Sequence, residues 1–173
     1  MLRRLIFMRH AEAQMVQYGK PDKDRAITME GMNQLEALRL KLRGKLSGVD
    51  HVICSNARRT RQTLEGLKQL MPANVEVVFD DSLYQSDQNL IWQLINEVDP
   101  KYKGVLVIAH NPALSQVVQW IADLGGRSIR QIPTGGMALC STKSSWSDIS
   151  APKLSLDEFI QPQKADFFID RST

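Results

Sequence analysis

The chain has 173 residues, of which 43% are hydrophobic and 24% are charged, and its net charge at pH 7 is +3. This length and composition predict one globular domain over 1–173 and exclude an intrinsically disordered chain. The charge is too small to indicate nucleic-acid binding. Apolar runs are shorter than a transmembrane helix or a signal-peptide core, so we expect no membrane association and a cytoplasmic location.

Alternating apolar runs and amphipathic segments predict an α/β fold. The predicted elements in chain order are strand 4–9, helix 29–46, strand 51–54, helix 58–70, strand 75–78, helix 89–98, strand 105–109, helix 113–124 and strands 137–141 and 165–169. Leu35, Leu38, Leu42 and Leu46 recur at helical spacing in the first helix, and Thr28 is its predicted N-cap. Strands alternating with helices predict a mostly parallel sheet in a three-layer α/β/α sandwich.

The cysteines are interpreted as structural residues. Cys54 and Cys140 each lie within an apolar stretch, and no Cys and His spacing resembles a zinc site. We therefore expect two small buried side chains, no disulfide and no metal.

Two of the three histidines directly follow predicted buried strands. His10 follows Arg9 at the end of the first strand, and His110 follows the strand 105–109. In open α/β sheets, ligands bind at the carboxyl ends of the strands. An imidazole at each of two strand ends, one beside an arginine, therefore predicts an anion site. His51 has no comparable surroundings and is interpreted as structural or solvated.

Two further segments are expected at the same edge of the sheet. Residues 27–34 read Ile-Thr-Met-Glu-Gly-Met-Asn-Gln at a helix start, and residues 55–63 read Ser-Asn-Ala-Arg-Arg-Thr-Arg-Gln-Thr after the second strand. In this order, with His10 and His110, these motifs resemble those of the histidine phosphatase superfamily, the phosphoglycerate mutase-like fold. The resemblance extends from residue 3 to about residue 125.

The resemblance implies a metal-independent phosphatase with no cofactor. Carried over by motif, His10 is the nucleophile, and Arg9, Arg59 and His110 form the phosphate pocket. The chemistry agrees, because phosphoryl transfer needs charge on the equatorial oxygens to be neutralised, and arginine matches phosphate geometry. Positive charge around His10 should lower its pKa and keep it neutral for attack. Arg58 and Arg61, which flank Arg59, are interpreted as a solvated helix face.

Two positions depart from the family pattern, since Ala11 replaces the usual glycine and Asn56 the usual proline. Alanine fits wherever the backbone does not require positive φ. Neither change removes a functional group, so both are compatible with the assignment.

The leaving-group side of the site indicates the substrate. The family's acidic residue corresponds to Gln85, which cannot donate a titratable proton, whereas a general acid is typically worth about 10²- to 10⁴-fold in rate. A phosphoramidate needs this acid less, because its leaving nitrogen is basic. The short interval between Arg59 and His110 leaves little room for a lid. Both features are similar to SixA-type phosphohistidine phosphatases, which implies a phosphorylated histidine phosphotransfer domain as partner.

Alternatives remain open at this stage. The carboxylates that could reach the site as acids are Glu12, Asp22, Asp24, Asp80, Asp81 and Asp87. If one of them, with Glu12 placed nearest, acts as the acid, the protein is a general phosphomonoesterase of phosphorylated small molecules. A non-catalytic phosphate-binding domain is the other alternative, although binding alone needs no nucleophile.

Overall fold

The computed structural model describes residues 1–162 and contains six strands and four α-helices in that range. In chain order these are β1 (Arg3–Arg9), α1 (Met29–Lys41), β2 (His51–Ser55), α2 (Arg58–Leu67), β3 (Glu76–Asp80), α3 (Gln88–Asn96), β4 (Gly104–Ala109), α4 (Ala113–Leu124), β5 (Met137–Thr142) and β6 (Ser155–Ile160). Short 3₁₀ helices occur at Asp22–Asp24, Lys68–Leu70, Asp81–Gln85, Trp146–Asp148 and Ala151–Lys153.

The strands form one sheet in the spatial order β3-β2-β4-β1-β5-β6. β3, β2, β4 and β1 are parallel, whereas β5 is antiparallel to both of its neighbours. The predicted mostly parallel sheet is therefore confirmed. Because β1 and β4 are adjacent and pair Arg9 with Ala109, the residues that follow them emerge side by side.

Helices cover both faces of the sheet. Leu5 and Phe7 of β1 pack in the core that includes Ile91 of α3, while Ile6 of β1 packs in a second core with Leu38 of α1. Alternate residues of one strand thus face opposite layers, and both faces are apolar because both are covered. The three-layer α/β/α sandwich is confirmed.

The first helix is shorter than predicted. α1 ends at Lys41, and Gly44 adopts a φ of 75° in the turn that follows. Leu42 and Leu46 are nevertheless fully buried. The spacing of these two leucines correctly indicated that they are buried, but it did not show that the helix continues to them. A turn can also direct apolar side chains to the core.

The C-terminal strand prediction was also incomplete. The predicted strand at 165–169 lies outside the described residues. β6 was not among the strands predicted from the sequence. It lies at the edge of the sheet and pairs on one side with β5. Its sequence is Ser-Leu-Asp-Glu-Phe-Ile, and such a half-exposed strand lacks the continuous apolar run of the central strands.

The predicted burial of the cysteines is confirmed, since Cys54 and Cys140 are both buried free thiols. Among residues 1–162, no three or more His, Cys, Asp and Glu side chains are grouped so that they could hold a metal ion. The described helices include none with the length and hydropathy needed to cross a bilayer.

Candidate active site

His10 and His110 meet at the carboxyl edge of the sheet. Each follows the last residue of its parallel strand, and their ring centroids are 5.2 Å apart. Both side chains are buried, with 7% and 8% of their surface exposed. The proximity inferred from the strand ends is therefore confirmed.

The His10 ring has a defined proton position. Its Nδ1 lies 2.7 Å from the carbonyl oxygen of Ala11, and because a carbonyl only accepts, Nδ1 carries the proton. Nε2 therefore bears the lone pair. Burial is the largest cause of a lowered pKa of His10, and together with the charges of Arg59 and Arg9 it outweighs the hydrogen bond to Ala11 and lowers that pKa to about 4. The predicted direction agrees, but burial is a larger cause than positive charge.

His110 is held from both ring nitrogens. Its Nε2 is 2.7 Å from Ser55 Oγ, and its Nδ1 is 3.4 Å from Nη2 of Arg59. A guanidinium only donates, so Nδ1 accepts and Nε2–H donates to the serine. Burial, followed by the charges of His10 and Arg59, lowers the pKa of His110 to about 3. Both histidines are therefore neutral at pH 7.

Two guanidinium groups lie beside the histidines. Arg59 is the second residue of α2 and is buried, whereas Arg9 is half-buried at the end of β1 and donates from Nη1 to the Ile132 carbonyl at 3.1 Å. Burial and the positive charge of Arg59 both lower the pKa of Arg9. The Nε–H of each arginine is buried with no hydrogen-bond partner in the described part of the chain. Buried donors are normally paired, so these two groups are suited to an anion.

Asp22 connects three side chains at this site. Its carboxylate lies 3.1 Å from Arg59 Nη2 and 2.6 Å from Arg25 Nε, and accepts from the Tyr84 hydroxyl at 2.5 Å. Burial alone would raise the pKa of Asp22, but the hydrogen bonds from Tyr84 and Arg25 and the charge of Arg59 outweigh it and lower that pKa to about 2. Asp22 is therefore ionised at neutral pH.

Residues of the two sequence motifs bind the backbone of the segment that follows His10. Thr63 Oγ1 accepts from the Ala11 amide at 2.9 Å, and Gln34 Oε1 accepts from the Glu12 amide at 2.9 Å. At Gly31, a Cβ atom would lie 2.3 Å from the carbonyl oxygen of Glu12, so only glycine permits this approach of α1. Thr28 caps α1, as predicted, by accepting from the Gly31 amide.

A sequence model of the histidine phosphatase superfamily (branch 1) matches residues 5–89, the range that contains these motifs. Over this range the chain matches the histidine phosphatase superfamily. The chain is similar to the uncharacterized protein Rv1276c of Mycobacterium tuberculosis, at 29% identity over 90% of this chain and 100% of the relative.

Solved structures of candidate SixA proteins share the fold of this chain. A candidate phosphohistidine phosphatase SixA from Nakamurella multipartitia superposes with a TM-score of 0.77 and 28% identity, covering 93% of this chain and 96% of the other. A second, from Agrobacterium tumefaciens, has a TM-score of 0.76 and 22% identity, covering 92% and 98%. Both are matched over nearly their whole length.

The departures from the family pattern are accommodated without strain. Ala11 is fully buried, and no described residue other than glycine has a positive φ. Asn56 lacks the rigid ring of the usual proline but forms two hydrogen bonds. Its Oδ1 accepts from Arg61 at 2.7 Å, and its Nδ2 donates to Asp81.

Other carboxylates that were considered as acids have different partners. Glu12 Oε1 accepts from the Thr28 hydroxyl at 2.8 Å, and Asp87 caps α3 by accepting from the Leu90 amide. Gln85 is exposed, while its neighbour Tyr84 turns inward, with its ring 5.7 Å from that of His110. Tyr84, Arg25 and Ser55 were not assigned from the sequence, since only the packing of loops reveals their direction.

The buried histidines predict a loss of stability in mild acid. In the unfolded chain a histidine titrates near pH 6.5, whereas the folded pKa values of His10 and His110 are about 4 and about 3. The stabilisation is thus complete above pH 6.5 and is lost as pH falls towards these folded values, by up to about 1.4 kcal/mol per pH unit for each histidine.

Urea unfolding between pH 7 and 5 measures this loss. We expect the His10→Asn variant to show a shallower dependence, by about 1.4 kcal/mol per pH unit below pH 6. Asp22, with a pKa of about 2, does not titrate in this range. Equal slopes for wild type and variant would contradict a neutral buried His10.

Proposed function

We propose that this protein is a phosphatase that removes phosphate from phosphohistidine on a protein, with His10 as the nucleophile. The observation that carries the proposal is the His10 ring, whose Nδ1–H is held by the Ala11 carbonyl so that Nε2 is free to attack beside Arg9 and Arg59. The similarity to the candidate phosphohistidine phosphatase from Nakamurella multipartitia supports it.

In the first step, Nε2 of His10 attacks phosphorus, and the bond from phosphorus to the substrate nitrogen breaks. The leaving imidazole takes a proton from water or a nearby donor. His10 becomes a phosphohistidine whose ring is positively charged, and its hydrogen bond to the Ala11 carbonyl stabilises that charge. Arg9 and Arg59 neutralise the equatorial oxygens, where charge develops.

In the second step, water attacks phosphorus, the bond to Nε2 breaks, and inorganic phosphate leaves. His110 is proposed to donate a hydrogen bond to the phosphoryl oxygens. A dianion beside the ring favours its protonated form, which opposes the effect of burial on its pKa. Because Nε2–H of His110 is hydrogen-bonded to Ser55, the additional proton of a protonated ring would lie on Nδ1, on the side of the ring that faces away from the serine.

Two observations favour a phosphoramidate over a phosphoester. Asp22, the carboxylate held within this cluster, is ionised and engaged by Arg25, Arg59 and Tyr84, so it is a poor proton donor. Moreover, the chain between Arg59 and His110 is taken up by α2, β3, α3 and β4 and their short connections. It does not form a separate lid, and an open site admits a side chain of another protein.

A substrate panel tests the proposal. Peptides of one sequence that carry either phosphohistidine or phosphoserine are compared with a phosphosugar, and the His10→Asn variant reports spontaneous hydrolysis. We expect kcat/KM for phosphohistidine to exceed that for phosphoserine by about 10²- to 10⁴-fold, the usual value of a general acid. Equal or faster turnover of the phosphosugar would instead favour a small-molecule phosphomonoesterase.

A further inference from the structure

Beside the cluster formed by Arg9, His10, Arg59 and His110, α2 forms one wall of a groove that the proposed reaction does not use. This α2 groove is a cavity of about 690 Å³ between α2, β3 and the segment Asp22–Asp24, and Arg58, Arg61 and Phe79 line it. None of Arg9, His10, Arg59 and His110 lines it. A phosphate held by those four residues would therefore leave the groove for parts of the substrate beyond the phosphorylated side chain.

Arg61 is held in position at the groove. Its Cζ lies 4.4 Å from the centroid of the Phe79 ring, and its Nη1 donates to Asn56 Oδ1 at 2.7 Å. Phe79 is 41% exposed, which is unusual for a large apolar side chain on a strand. The cation–π contact and the hydrogen bond restrict the side chain before any ligand binds, so binding costs less conformational entropy.

Two of the carboxylates that line the α2 groove form ion pairs with lysines and not with its two arginines, Arg58 and Arg61. Lys23 pairs with Asp81 at 3.4 Å, and Lys68 pairs with Glu65 at 3.5 Å.

Within residues 1–162, neither Arg58 nor Arg61 lies within ion-pair distance of a carboxylate. Arg58 contacts the backbone carbonyl of Asp24 at 3.5 Å, and the Asp24 carboxylate is the remaining negative group of the lining. Both arginines are exposed, so their charge is available to an incoming ligand.

We propose that the α2 groove binds an acidic segment of the phosphorylated protein, adjacent in space to its phosphohistidine. Arginine pairs well with carboxylates and is enriched in protein interfaces, and charge complementarity of this kind accelerates association and selects partners. Arg58 directly precedes Arg59, so the groove begins next to the proposed phosphate site. The inference rests on the proposed function and adds to it the character of the sequence around the phosphohistidine.

Two phosphohistidine peptides that differ only in their flanking residues test the inference. One carries glutamates around the phosphohistidine and the other lysines, and free phosphohistidine is the small reference substrate. We expect wild type to prefer the glutamate peptide, and the Arg58→Glu/Arg61→Glu double variant to lose about 10- to 100-fold in kcat/KM for it. The variant should gain on the lysine peptide, while its activity on free phosphohistidine stays within about twofold.

A matched control separates docking from a general effect of charge. Arg43 and Lys143 are exposed, and both follow elements that run away from the site, α1 and β5. The Arg43→Glu/Lys143→Glu variant changes the net charge equally and should keep the wild-type preference. Loss of the preference in this control would overturn the inference, as would an unchanged preference in the Arg58→Glu/Arg61→Glu variant.

The two proposals fail in different ways. A wild type that hydrolyses free phosphohistidine and both peptides with equal kcat/KM overturns the docking surface and leaves the phosphatase assignment intact. A wild type that hydrolyses none of the three substrates overturns the proposed function, and with it the docking inference.

Discussion

Replacing His10 with asparagine is expected to lower kcat for phosphohistidine hydrolysis by at least about 10⁴-fold, because loss of a nucleophile removes the covalent route entirely. Asparagine can retain a hydrogen bond to the Ala11 carbonyl, so the effect reports the missing Nε2 lone pair more than a change in structure. Steady-state phosphate release measures the loss. Quenching wild type with labelled substrate in an alkaline denaturant, in which the phosphorus–nitrogen bond is stable, should also trap a phosphorylated protein that the variant cannot form.

His51 provides the matched control for this experiment. It is a buried histidine at the start of β2, where its ring stacks on Tyr102 at a centroid distance of 4.4 Å, at the opposite end of the strand from the site. The His51→Asn variant should retain kcat within about twofold, since it removes an imidazole without touching the cluster. Undiminished turnover in His10→Asn would remove His10 from the mechanism and favour a phosphate-binding role for the site.

Arg59→Ala is expected to lower kcat/KM by about 10³-fold, which corresponds to about 4 kcal/mol of transition-state stabilisation. Arg59 contacts both His110 Nδ1 and the Asp22 carboxylate, so its removal takes away a positive charge and also loosens His110. Arg59→Lys keeps the charge but loses the planar fork, and we expect an intermediate loss of about 10²-fold.

Inhibition by inorganic phosphate distinguishes the role of Arg59 from a structural one. Both variants should bind phosphate more weakly, and Arg43→Ala, an exposed arginine after α1, should not. Urea unfolding checks that the buried site still folds, because Arg59 is only 4% exposed. Full affinity for phosphate in Arg59→Ala would contradict its assignment to the anion site.

Much of the fold could be predicted from local pattern. β1 and β4 are buried on both faces, so their sequences are continuous apolar runs and are recognised without tertiary information. The ends of such strands are equally visible, which is why His10 and His110 could be placed together. Prediction failed where burial and secondary structure separate, as at Leu42 and Leu46, which are buried after α1 has ended.

The site, like the fold, could be predicted only in part from the sequence. The sequence showed which residues occupy the motif positions, namely Thr28, Gly31, Gln34 and Thr63. Only the structure showed that residues at these positions contact the backbone that follows His10. The acidic residue at the site illustrates the limit. Glu12 was expected nearest to His10, whereas Asp22 is the carboxylate that binds Arg59, because a loop of irregular structure carries no periodicity that reveals where its side chains point.

The sequence by itself determined the order of strands and helices from β1 to β5, the two strand ends that carry histidines, and the motifs that resemble those of the superfamily. These properties follow from the spacing of apolar residues along the chain and from the local demands of caps and turns. Only the tertiary structure decided which ring nitrogen of His10 holds the proton, which carboxylate reaches Arg59, and that Arg58 and Arg61 line a groove. The last two properties depend on contacts between residues far apart in the chain, and the first on the orientation that the buried His10 ring adopts beside the Ala11 carbonyl, which no local pattern encodes.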